Sequence, residues 1–132
     1  MAYPSVHKLP QVIMTAHMID CNSATASSSV IGIRVPFRCV LEQAGVIQQA
    51  AFTTANAVFT IKKNTTTMNG TGSDGTTANV MTLLTTNAVQ ATTTYTPTTN
   101  NHLVAGDVVV FSSDHGGTGA TPCNCDIVLR PE

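Results

Sequence analysis

Between residues 57 and 63 the chain reads Ala-Val-Phe-Thr-Ile-Lys-Lys, with Ala57, Phe59 and Ile61 on one side and Val58, Thr60 and Lys62 on the other. A period of two sends alternate side chains to opposite faces of a strand, so this segment is expected to be half-buried β structure. Apolar runs of strand length recur at 12–19, 30–35, 80–84, 89–92, 108–111 and 127–129. Pro36 restricts Val35 to extended geometry and closes the second run. Residues 38–49 alternate imperfectly, with a kink expected at Ala44-Gly45. Leu41, Ala44, Gln48 and Ala51 also fit helical spacing, so a short helix over 40–51 competes with the preferred strand.

Polar stretches separate these runs. Residues 23–29 read as a loop, 64–77 as a long polar turn whose only large apolar residue is Met68, and 112–123 as a glycine-rich loop. Residues 92–101 are Thr/Asn-rich around Pro97 and read as an exposed connection carrying Tyr95. Short strands at intervals of roughly 10–20 residues indicate an all-β, single-domain antiparallel sandwich or barrel. Pro4 and Pro10 punctuate the start, so residues 1–11 are expected to form an extended arm and 12–132 the β domain.

Composition sharpens this picture. Threonine supplies 22 of 132 residues, and its β-branched side chain suits a pleated surface. Only 10% of residues are charged, against about 25% in ordinary domains, so hydroxyls and amides carry the hydration. The six basic residues are scattered and the net charge is −1, which argues against a nucleic-acid partner. No apolar run reaches the roughly 18–20 residues of a membrane-spanning helix. The first ten residues lack the apolar region of a secretory signal, so the expected site of synthesis is a reducing compartment.

Candidate chemistry is sparse. Cys21, Cys39, Cys123 and Cys125 form an even set, but Cys123-Asn124-Cys125 lacks the spacing of common zinc sites. Small buried hydrophobes are the favoured reading, with a disulfide such as Cys21–Cys123, or a metal site, as alternatives. Asp114-His115 sits in the glycine-rich loop, yet adjacency in sequence does not orient a histidine. Gly116-Gly117-Thr118-Gly119 lacks the lysine of a phosphate loop. His7, His17, His102 and His115 show no ligand spacing, and Asp74 and Asp107 are too few for a calcium site. No catalytic residue, metal or cofactor is therefore expected, and the chain does not read as an enzyme.

Residues 30–63, with Val35-Pro36-Phe37 and Val58-Phe59-Thr60-Ile61-Lys62-Lys63-Asn64, then 103–110 and 127–129, resemble small tailed-bacteriophage virion proteins of β-sandwich or jelly-roll type. The resemblance spans about residues 30–130. It implies a jelly-roll-like fold and a capsid cement, decoration or head-fibre role. It also implies a virion location after synthesis in the host cytoplasm, with a major capsid protein and further copies of the chain, as a homotrimer, for partners. The arm is the expected contact segment, through Tyr3, Val6, His7, Lys8 and Leu9, whose apolar groups a solitary domain would leave wet. A receptor- or carbohydrate-binding β-sandwich of a phage fibre is the alternative, with Tyr95 as its exposed aromatic.

Overall fold

The computed structural model describes residues 10–18, 30–51, 56–74, 77–84, 86–114 and 122–132. These contain strands and no helix. In chain order the strands are β1 (Val12–Met18), β2 (Val30–Arg34), β3 (Cys39–Gln48), β4 (Ala57–Lys63), β5 (Thr66–Thr67), β6 (Gly70–Gly72), β7 (Thr77–Ala78), β8 (Val80–Leu83), β9 (Thr92–Pro97), β10 (His102–Leu103), β11 (Val108–Asp114) and β12 (Cys123–Pro131). They form two antiparallel sheets packed face to face. The larger runs β1-β12-β3-β9-β6-β7, with β10 on β3, and the smaller runs β2-β11-β4-β5, with β8 on β4.

The alternation read at residues 57–63 is what builds the interior. Ala57, Phe59 and Ile61 are fully buried, and Phe111, opposite Ile61 on β11, joins them. The larger sheet answers with Leu41, Ala44, Val46, Tyr95, Cys123, Cys125, Ile127 and Leu129. The chain nests as it pairs: β1 with β12, β2 with β11, β3 with β9 and β10, and β4 with β8.

Within residues 38–49 the strand is β3, and the irregularity lies at Glu42 rather than at Ala44-Gly45. Leu129 pairs with Leu41 and Val128 with Gln43, so Glu42 is an extra residue with no opposite number. A bulge shifts the parity of the strand that carries it. Leu41 and Ala44, three apart, consequently both face the core. That spacing is also the one that mimics a helix.

Three expectations are corrected. Residues 64–77 are not one long turn: β5, β6 and the start of β7 lie there, and Met68 is fully buried. Residues 92–97 are not an exposed connection but β9, in which Thr93, Tyr95 and Pro97 point inward while Thr92 and Thr96 are exposed. Tyr95 is 0% exposed, and its hydroxyl donates to the Met68 carbonyl at 3.0 Å. Val89 and Gln90, expected in a strand, form a turn instead. Gln90 has φ 67°, a left-handed conformation that no strand accommodates.

Candidate functional site

Antiparallel pairing gathers at one end of the sandwich what the sequence spreads over a hundred residues. The ends of β2, β4 and β12 and the starts of β3 and β11 meet there, bringing together Arg34, Arg38, Lys62, Lys63 and Arg130. The five described basic residues are thus not scattered in space. Most are answered within the chain. Arg130 Nε lies 2.7 Å from Glu42 Oε1, and Gln11 donates to the same carboxylate. Glu132 takes Arg38 at 3.4 Å and His102 at 2.9 Å, while Lys63 reaches Asp107 at 3.5 Å. Among the described residues, Arg34 and Lys62 have no carboxylate within ion-pair distance. Exposed pairs of this kind contribute roughly 0–1 kcal/mol each, so they fasten the end only weakly, and Arg34 and Lys62 leave it with a positive excess.

Its fastening is Asp107. The carboxylate accepts from Val104 N–H at 2.9 Å and from Asn64 Nδ2 at 2.9 Å, with Lys63 alongside. Asn64, at φ 55°, in turn accepts from Val108 N–H at 2.9 Å. The Asp107 carbonyl accepts from Val35 N–H at 2.8 Å. One residue therefore ties three connections together. These bonds, the Val104 amide foremost and then Asn64, hold the Asp107 carboxyl below its usual range. A carboxyl with a depressed folded pKa contributes stability above its unfolded pKa, and that contribution disappears as pH falls through the folded value.

On the outward face of the larger sheet, Thr15, Asp126 and Gly45 lie side by side on β1, β12 and β3. A Cβ at Gly45 would come within 2.7 Å of Asp126 Oδ1, so the carboxylate fills the space a side chain would take. Thr15 and Asp126, with Ala16, His17, Ile47 and Asn124, line a shallow cleft. His17 Nδ1 is bonded to Asn124 Oδ1 at 2.8 Å. Burial pushes the Asp126 carboxyl up. Here the sign is opposite to Asp107: ionising Asp126 costs stability as pH rises above the ordinary carboxylate range. Asp107→Asn is accordingly expected to destabilise the protein by about 1–3 kcal/mol near neutral pH, and Asp126→Asn to stabilise it slightly. Urea unfolding at neutral pH and near pH 3 checks both: the Asp126→Asn gain should vanish in acid, where that carboxyl is protonated folded and unfolded alike, and the Asp107→Asn loss should shrink.

The sequence candidates fall as follows. Tyr3, Val6, His7, Lys8 and Leu9 lie outside the described residues, as do Cys21 and His115 with Gly116, Gly117, Thr118 and Gly119. Asp114 ends β11. Cys39, Cys123 and Cys125 are fully buried, and Cys39 and Cys125 carry free thiols. Burial, then the negative charges of Glu132 and Asp107, pushes the Cys39 thiol up and away from reactive thiolate chemistry. Asp74 accepts from Thr82 N–H at 2.9 Å, on an element remote from Asp107. Among the described residues no three His, Cys, Asp or Glu side chains converge as metal ligands.

Gln48 was not legible as special. It is fully buried at the end of β3, its Oε1 accepts from Asn87 Nδ2 at 3.0 Å, and its Nε2 has no partner among the described residues. Its only sequence mark is an inward parity shared with Ala44 and Val46 once the bulge at Glu42 is known. The chain matches no protein family, no curated protein and no solved structure with which it was compared.

Proposed function

We propose that this chain is a virion structural protein, a cement or decoration protein on a capsid exterior that bridges capsomers, with a major capsid protein and further copies of itself, as a homotrimer, for partners. The observation that carries the proposal is the strand order. Pairing β1 with β12, β2 with β11, β3 with β9 and β10, and β4 with β8 is a chain doubled back on itself and then rolled into two sheets. We read that order as a jelly roll, an architecture common to viral capsid and lectin domains. Fold alone does not fix function, so the surface has to agree. It does: threonines line the outward face of β9, and the ion pairs at the charged end are satisfied within the chain. The carbohydrate-binding alternative is weakened by the burial of Tyr95, the aromatic it would have used for stacking.

The test is co-sedimentation of the purified protein with capsids lacking it, at low salt and at about 0.5 M NaCl, where charges are screened over a few Å. Saturable binding that changes little with salt is expected. No binding to such particles would remove the proposal, and a tenfold loss with salt would mean an electrostatic interface. A chain lacking residues 1–9 is expected to keep its circular dichroism spectrum and lose occupancy.

A further inference from the structure

β1 is the outermost strand of the larger sheet, and among the described residues its backbone pairs with β12 alone. Folded proteins blunt such edges with a charged side chain, a proline, a bulge or shortness. β1 has none of these. It is 7 residues long, Val-Ile-Met-Thr-Ala-His-Met, without Lys, Arg, Asp, Glu or Pro. Its register along β12 runs unbroken from Val12↔Leu129 to Met18↔Cys123. The edge strand of the other sheet, β2, packs beside it. A second observation concerns the same two edge strands, on the outward faces of their respective sheets. Ile13 on β1 and Val30 on β2, 66% and 61% exposed, are the most exposed large hydrophobic residues among those described.

We propose that this side of the sandwich pairs with the same side of a second copy, β1 antiparallel to β1 about a two-fold axis through Thr15. In that register Thr15 meets Thr15 of the second copy, Ile13 meets His17, and Met14 meets Ala16. Inward residues stay opposite inward residues, because the side-chain period is two. No formal charge sits on the strand, so a copy of itself is an occupant that brings no like charges together. The antiparallel arrangement also turns the basic end of each copy, with Arg34 unanswered among the described residues, toward the end of the other where β11, the neighbour of β2, finishes at Asp114. Main-chain bonds across the edge supply the pairing, and Ile13 gives up water against His17 of the second copy.

The two-fold pairing is separate from both the homotrimer and the capsid of the proposed function, so light scattering and particle binding fail separately. The intact chain is examined by size-exclusion chromatography with light scattering. An even number of copies, a dimer or a hexamer of paired trimers, is expected; a monomer or a trimer overturns the pairing. Thr15→Cys then places two thiols face to face on the axis, within reach of the Cβ separations a disulfide takes, about 3.5–4.5 Å. Under mild oxidant it is expected to give a cross-linked dimer several times more abundant than wild type or Thr92→Cys. Thr92 is exposed on β9, strands away from the edge. Even-numbered assembly without that excess overturns the two-fold register. A monomeric intact chain that dimerises only after removal of residues 1–9 also overturns it, naming the arm as the occupant of the edge.

Discussion

Tyr95→Ala is expected to lower the unfolding free energy by about 3–5 kcal/mol, the range for truncating a buried aromatic ring. The residue is 0% exposed and stands among the largest fully buried side chains. Its ring sits between the sheets on β9, and its hydroxyl satisfies the Met68 carbonyl at 3.0 Å. Tyr95→Phe separates the two contributions. It keeps the ring and strands the carbonyl, which costs about 1–3 kcal/mol. Urea unfolding monitored by circular dichroism measures both. A Tyr95→Ala loss below about 1 kcal/mol would mean that the ring is solvated, as an exposed recognition aromatic would be.

Gly70→Ala is expected to cost about 3 kcal/mol or more, the upper end for overpacking. A Cβ there would stand 2.2 Å from the Thr96 carbonyl oxygen and 2.8 Å from Pro97 Cα. Both atoms are backbone of β9, which pairs with β6 at Gly70↔Pro97 and Thr71↔Thr96. Neither can rotate away, so the two strands must separate. Gly45→Ala is the control. Its Cβ also meets an atom at 2.7 Å, but that atom is the end of the Asp126 side chain, which can turn. Amide hydrogen exchange should show faster exchange through β6 and β9 in Gly70→Ala and little change in Gly45→Ala. Equal stability of the two variants would contradict the close approach of β6 to β9.

The limits of the sequence reading are clearest at β9. Threonine lies on both faces of that strand: Thr93 is buried, whereas Thr92 and Thr96 are exposed. A period of two defined by hydrophobicity disappears when one residue type occupies inside and outside alike. The same blindness hid β6, where two glycines flank a threonine. At β4 the inside and outside positions differ in chemistry, and the strand was legible to the residue. The charged end was illegible for a different reason: Arg34, Lys63, Asp107 and Arg130 are neighbours only after strands far apart in the chain have paired.

What the sequence determined by itself is the all-β class, strands over 12–19, 30–35, 57–63, 80–84 and 108–111 (the last running on to Asp114, into the expected loop), and a skin hydrated by hydroxyls instead of charges. These follow from local periodicity and composition, which each segment carries with it. Tertiary structure alone decided which strands are neighbours, that Tyr95 and Gln48 lie inside, that Glu42 is the bulge, and that among the described residues β1 stands at the edge of its sheet. Each of these depends on what stands opposite a residue across a sheet or between sheets. No segment contains that information, because the partner comes from elsewhere in the chain.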